Sequence, residues 1–311
     1  MDLKFDLRSG THYPVGELNV ETKLSEIYGI NKDRIIATSG MTSLIHYVYQ
    51  MFSGKNVILV EPLSSEHRRS AIISDCHITR IGLKSLLKHA EILHSFNFQL
   101  ISLNLPVNPT GEIIKPMELQ KILNMAEKKD AITFLDQAYM DFLNAKTKHM
   151  IQKVSYSYPS IIIARSMTKI TVFPGIRLGF EISSKQKIVD LKKTRDPWDI
   201  PSYYEQFLDH MGNSKLNVNE VEMERKILEE GIKKLRLQII RKSEVNFFSS
   251  TLGRKYNGNE FYKKMLDSSF LLRKLNNLYG FGEGDFRINV RMHEENIDLL
   301  KAIEVALHGK R

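Results

Sequence analysis

Ile161-Ile162-Ile163-Ala164-Arg165-Ser166-Met167-Thr168-Lys169 runs on to Phe173-Pro174-Gly175-Ile176-Arg177-Leu178-Gly179-Phe180. The opening apolar, β-branched residues suit a strand buried on both faces. Two hydroxyls, a Lys and an Arg then follow close to the strand's end. Hydroxyl and guanidinium donors there suit a phosphate, and a Lys beside them suits Schiff-base chemistry. The plain alternative is a polar loop between two strands.

Similar apolar runs lie upstream. Asn56-Val57-Ile58-Leu59-Val60, Leu100-Ile101-Ser102-Leu103 and Ile132-Thr133-Phe134-Leu135 each read as a buried strand. Helix-period segments separate them, such as Met41 to Phe52 and Pro116 to Lys129. Buried strands alternating with helices predict an α/β fold, with a mostly parallel central sheet and helices on both faces. After about residue 190 the texture changes. Val218 to Arg241 is a long, charged, helix-forming stretch, and Glu260 to Leu266 and Glu294 to Leu307 are further helix candidates. Among them lie the strand candidates Val245-Asn246-Phe247-Phe248, Phe270-Leu271-Leu272 and Phe286-Arg287-Ile288-Asn289-Val290. That is an α+β pattern and predicts a smaller C-terminal domain. The expected organisation is a short N-terminal segment over 1–25, a large domain over 26–195 and a small domain over 196–311.

Composition narrows the classes. Of 311 residues, 42% are hydrophobic and 26% charged, as in ordinary globular chains. No apolar run approaches the roughly 18 residues of a membrane span, and Met1 to Asp6 lacks the apolar stretch of a signal peptide. The single cysteine, Cys76, has no internal disulfide partner, which favours a reducing cytoplasm. The formal net charge of +9 attracts anions without choosing among them. The basic residues are scattered, and no helix-turn-helix, finger or stacking platform appears, so neither nucleic acid nor a membrane is expected as a partner.

Two more segments carry chemistry. Leu105-Pro106-Val107-Asn108-Pro109-Thr110-Gly111 follows one strand; by itself it reads as a turn. Asp136 ends the run beginning at Ile132, where a carboxylate meets the edge at which open α/β sheets bind ligands. A capping role is the alternative. Asn-Pro-Thr-Gly, then Asp-x-Ala-Tyr, then Ser-x-Thr-Lys with an Arg eight residues past the Lys, in that order, resembles the class I/II aminotransferase family of pyridoxal-phosphate (PLP) enzymes, fold type I. The resemblance extends from about Tyr13 to the C-terminus.

The resemblance implies roles at matching positions. Lys169 forms the Schiff base with PLP. Asp136 keeps the pyridine nitrogen protonated, so the ring draws electrons from the substrate Cα. Asn108 and Tyr139 bond the ring's phenolic oxygen, with Tyr139 counted among the catalytic residues and Asn108 also facing substrate. Ser166 and Arg177 hold the phosphate, together with the helix N-terminus at Gly40, Met41 and Thr42, a natural anion site. Tyr13 reaches the phosphate of a neighbouring subunit, which implies a homodimer with shared sites. The motifs around Lys169, and the tail from Leu271 to Asn296, are most similar to the branch holding threonine-phosphate decarboxylase and histidinol-phosphate aminotransferase. There Arg287 matches the residue that grips the substrate carboxylate, and Arg273 the one that meets a substrate phosphate or second anion.

Two departures stand out. Ser64 occupies the position that usually supplies an aromatic ring over the cofactor; His67, three residues on, could substitute for it, although a His there is more often a helix-surface residue. The chain also begins almost at the Tyr-Pro element, where relatives carry an arm over the substrate; the expectation is a more open site. The predicted activity is a PLP-dependent aminotransferase acting on an amino acid or amino-phosphate and a keto acid. A decarboxylase is the first alternative and a non-catalytic PLP-fold binding protein the second. A metal is not expected.

Overall fold

The computed structural model describes residues 6–11, 13–14, 19–171, 173–211 and 216–309. Seven strands form the main sheet: β1 (Ile35–Thr38), β2 (Asn56–Glu61), β3 (His77–Gly82), β4 (Leu100–Asn104), β5 (Ile132–Asp136), β6 (Ile161–Ser166) and β7 (Gly179–Ser183). Their order is β1-β7-β6-β5-β4-β2-β3. β2 to β6 pair in parallel, while β7 runs antiparallel to both β6 and β1. The mostly parallel α/β fold follows, and its PLP fold type I character rests on the likenesses reported below.

Alternate residues of each strand face opposite sides. Ile35, Ile58, Ile101, Leu103, Leu135, Ile161 and Ile163 belong to one buried cluster. Ile36, Val57, Leu59, Leu100, Phe134 and Ile162 belong to the other. The first cluster is closed by apolar residues of α1 (Val20–Tyr28), α4 (Leu83–Lys88), α5 (Pro116–Glu127) and α6 (Ala145–Ser155). The second is closed by α2 (Gly40–Gln50), α3 (Ser65–Ile73) and α7 (Lys185–Thr194). Two buried faces explain why these strands read as continuous apolar runs instead of alternating ones.

The C-terminal part builds a second sheet from β8 (Gln238–Ile239), β9 (Phe247–Thr251), β10 (Arg273–Lys274) and β11 (Asp285–Asn289), in the order β10-β11-β9-β8. All its pairs are antiparallel. Phe248, Phe286 and Ile288 pack with α9 (Val218–Lys234), α10 (Gly258–Asp267) and α11 (His293–His308) in a third cluster. The core of the large sheet runs past residue 196, because α8 (Tyr203–Met211) lends it Tyr204, Phe207, Leu208 and Met211. Phe247 of β9 joins the same core. The strand expected to start at 270 starts three residues later, as Arg273–Lys274.

Topology places the chemistry. β4, β5 and β6 end at Asn104, Asp136 and Ser166 on one edge of the sheet. β1 ends there too, before α2, and antiparallel β7 begins there, two residues after Arg177. Open α/β sheets bind ligands at this edge.

Candidate active site

The anion end is built from three backbone constraints. Gly40 opens α2 with φ +85°, a left-handed value open to glycine without strain. A Cβ there would lie 3.0 Å from a terminal guanidinium nitrogen of Arg177. A Cβ on Gly179 would lie 2.8 Å from the Met41 amide nitrogen, so β7 starts hard against the first turn of α2. Arg177 itself is left-handed, at φ 61° and ψ 48°. Its guanidinium thus lies against the N-terminus of α2, whose first turn receives no hydrogen bond from its cap side chain. Thr42 is exposed and Met41 half-buried on that turn. Free amides facing a guanidinium form a cradle for a phosphate-sized anion. Ser166 ends β6 buried, its hydroxyl donating to Thr168 Oγ1 at 3.1 Å.

The middle of the site is a chain of buried polar contacts. Asp136 is 7% exposed. Its Oδ1 accepts the Ala138 amide at 2.9 Å, and its Oδ2 lies 3.3 Å from His67 Nε2. His67 is fully buried, and its Nδ1 lies 3.2 Å from the Tyr49 hydroxyl, which donates onward to Ser102 Oγ at 2.8 Å. The surface placement expected for His67 is therefore wrong; α3 turns it under the sheet edge, against Phe134. Ser64 is the half-buried residue preceding α3.

Lys169 ends a short turn after β6, and its Nζ lies over the Tyr139 ring, 5.6 Å from its centroid. Lys169 has no ion pair among the described residues. Tyr139 meets Phe247 edge-on at 4.7 Å, and the Arg287 guanidinium lies over the other side of this aromatic bridge, 4.9 Å from the Phe247 centroid. Phe247 was not among the expected site residues. A strand candidate alone gives no hint that one ring will join a Lys-bearing loop to an Arg-bearing strand.

The Asn-Pro-Thr-Gly segment is the joint between the two sheets. Arg287 donates to Asn108 Oδ1 at 2.8 Å, and Ser249 Oγ donates to the Pro109 carbonyl at 2.7 Å. A Cβ on Gly111 would sit 2.0 Å from Ser243 Oγ. This close approach explains the glycine. Arg287 is half-buried, and desolvation lowers its hold on its proton; nearby Arg273 acts in the same direction and Tyr139 against it. Arg273 stands directly opposite Arg287 across the β10–β11 pair, exposed, with a donated bond to Asn277 Oδ1 at 3.1 Å. Like charges directly opposed on a sheet repel, so an anion between or above them relieves the cost.

The structure thus brings together Asn108, Asp136, Tyr139, Lys169 and Arg287, with Ser166, Arg177, Gly40, Met41 and Thr42 along the same edge. Tyr13 stands apart. It is exposed and stacks on exposed Trp198 at 5.1 Å. Among the described residues no group of acids, His and Cys is arranged to hold a metal ion, and no helix is long and apolar enough to cross a membrane.

These residues fit a phosphorylated, ring-nitrogen-bearing aldehyde. The α2 amides with Arg177 match its phosphate, a buried carboxylate its ring nitrogen, and an unpaired amine its carbonyl. The family model described as aminotransferase class I and II matches residues 3–303. The chain is 27% identical over 295 residues to a histidinol-phosphate aminotransferase from Pyrococcus furiosus, covering 93% of this chain and 81% of that one. It is 24% identical over 292 residues to a putative threonine-phosphate decarboxylase from Caldanaerobacter subterraneus subsp. tengcongensis, covering 90% and 78%. Its fold matches the crystal structure of L-threonine-O-3-phosphate decarboxylase from Porphyromonas gingivalis with a TM-score of 0.83 at 20% identity, over 97% of this chain and 92% of that one.

Proposed function

Because the chain belongs to the class I and II aminotransferases, PLP-using enzymes, we propose that it moves an amino group between a small amino acid, with or without a phosphate, and a keto acid. The observation that carries this reading is the meeting of Lys169, Asp136 and Arg177 at one sheet edge. When bound, PLP supplies an electron sink for the bond broken at the substrate Cα. Arg177 and the α2 amides would hold its phosphate, Asp136 its ring nitrogen, and Asn108 and Tyr139 its phenolic oxygen. His67 would hold Asp136 in place from below. Lys169 Nζ would hold the carbonyl carbon until the substrate's amine displaces it, and the freed amine would then move the proton from the substrate Cα.

Arg287 would take the substrate carboxylate, its partly buried guanidinium being well placed for a bidentate grip. Arg273, directly opposite, would meet a second anionic group. Two facing cations also favour the second reading, a decarboxylase of a phospho-amino acid, since the outcome depends on which Cα bond stands across the ring. A homodimer is part of the proposal. Exposed Tyr13, stacked on exposed Trp198 and apart from its own chain's cluster, is free to serve a second copy's cradle. The lone Cys76 supports a cytoplasmic setting.

The test is spectroscopic. Reconstituted with PLP, the protein is expected to be yellow, to be bleached by borohydride, and to pass to the pyridoxamine form with an amino donor. Lys169→Ala is expected to lose the covalent band and at least about 10³-fold in turnover. A chain that cannot be coloured sinks the enzyme reading. Carbon dioxide release from a phospho-amino acid, with no pyridoxamine form from any donor, replaces transamination by decarboxylation.

A further inference from the structure

Tyr204 lies on α8, outside every motif that defines the site, and its ring is fully buried in the core beneath the large sheet. Its hydroxyl nonetheless emerges at the anion cradle. It donates to the Arg177 backbone carbonyl at 2.5 Å and lies 3.3 Å from Ser39 Oγ. A phenol has one proton, and Arg177 accepts it. The Ser39 hydroxyl must therefore be the donor in the second contact.

Both contacts bear on the cradle. The left-handed conformation is unfavourable for a non-glycine residue, and Arg177 has only its surroundings to hold it there. Ser39 is the residue before α2, where a serine normally turns its oxygen onto the amides of the first turn. Here that cap bond is absent. The Ser39 amide is instead taken by Asp199 Oδ2 at 3.1 Å, and the Ser39 hydroxyl faces Tyr204. Burial pushes the Tyr204 phenol up to about 12, so it stays a donor at neutral pH.

We propose that Tyr204 is a positioning residue of the phosphate cradle: its hydroxyl locks the left-handed Arg177 and draws Ser39 away from the α2 amides, so that guanidinium and amides face one anion together. The inference rests on the reading that this cradle takes the cofactor phosphate.

The experiment compares PLP with pyridoxal, which lacks the phosphate, by absorbance titration of the apo-protein, with inorganic phosphate as competitor. Tyr204→Phe keeps the buried ring and removes only the hydroxyl. It is expected to weaken PLP and phosphate binding about tenfold, the scale of one buried hydrogen bond, and to leave pyridoxal binding unchanged. Ser39→Ala alone is expected to change PLP binding less than threefold; added to Tyr204→Phe it should recover part of the loss, because no freed hydroxyl then caps the amides. Equal weakening of PLP and pyridoxal, or no weakening of either, overturns the proposal, as does a double variant that binds PLP worse than Tyr204→Phe. Should Tyr204→Phe fail to fold, a tenfold loss in Ser39→Ala alone overturns it. An unmodified chain that binds pyridoxal as tightly as PLP would instead sink the cradle reading itself.

Discussion

Asp136 and Arg287 stand at the two ends of one site and are held in opposite ways. Asp136 closes a strand paired in parallel on both sides, to Asn104 and Ala164, with a buried histidine beneath it. Arg287 sits on a five-residue strand whose outer neighbour is only two residues long, and that neighbour places Arg273 opposite it. Past the Asn108 turn the two sheets face each other across a cavity of about 740 Å³, lined in part by Thr110, Glu112, Tyr279 and Asp285. The proposed cofactor end is fixed by the core, and the proposed substrate end by a few long-range bonds. A strand end paired with long neighbours on both sides holds its group more accurately than one flanked by a two-residue strand. The difference suits a family in which one cofactor serves many substrates.

The comparison breaks first at its rigid end. Arg165, four residues before Lys169, is fully buried, lies over the Tyr28 ring and donates to Asp141 at 2.5 Å. Asp141 is two residues past Tyr139, so this pair ties the Lys169 turn to the Tyr139 turn. Burial alone would raise the Asp141 carboxyl, but Arg165 and Lys148 pull it down to about 2. Its stabilisation is therefore complete above its ordinary 3.8 and is lost as pH falls from there towards 2. Asp141→Ala leaves a buried guanidinium unpaired, at an expected cost of about 3–5 kcal/mol in urea unfolding at neutral pH. A loss under 1 kcal/mol would show that the two turns are not coupled through this pair. The open end should respond in kinetics instead. Arg287→Ala is expected to lower kcat/KM by about 10²–10³-fold, the cost of leaving the proposed substrate carboxylate without its charged partner, with PLP affinity unchanged. Arg273→Ala, on an exposed strand, should cost about fivefold or less. Equal losses in the two variants would erase the distinction between them.

Legibility followed the same division. β2, β4, β5 and β6 are apolar because both faces are covered, and each was readable from that run alone. β7 was not, since it carries Glu181 and Ser183 and its burial is a tertiary outcome. Lys169, Asp136, Asn108 and Arg177 form an ordered set of motifs in the sequence, and the structure gathers them at one sheet edge. His67 was hidden in Ser65-Glu66-His67-Arg68-Arg69, where a His more often lies on the helix surface; only the packing of α3 shows which side is inward. Phe247 and Tyr204 carry no local signal, because each acts on residues distant in the chain. The 270–272 strand was misplaced because Leu272 is buried without joining the ladder.

Glu181 offers the mildest and cleanest test of how strictly the cofactor end is governed by its core. It lies in β7 between Phe180 and Ile182, fully buried, and neither carboxyl oxygen has a hydrogen-bond partner in the described structure. Ile36, Thr38, Leu44, Tyr47 and Leu191 surround it, on the side of the sheet that α2 covers. Burial raises its pKa well above the ordinary 4.5, with Lys187 opposing weakly. A carboxyl raised in the folded state ionises first in the unfolded chain. Stability is therefore full below about pH 4.5 and declines as pH rises towards the folded value, by at most about 1.4 kcal/mol per pH unit within that window. Glu181→Gln keeps the shape and cannot ionise. Its unfolding free energy should be flat where the parent's declines, so the variant overtakes the parent between mildly acidic and neutral pH. Urea titrations at several pH values measure this directly. Parallel curves for the two proteins would mean that the Glu181 carboxyl finds a charged or hydrated partner behind α2, and that this face of the cofactor end is less dry than its packing indicates.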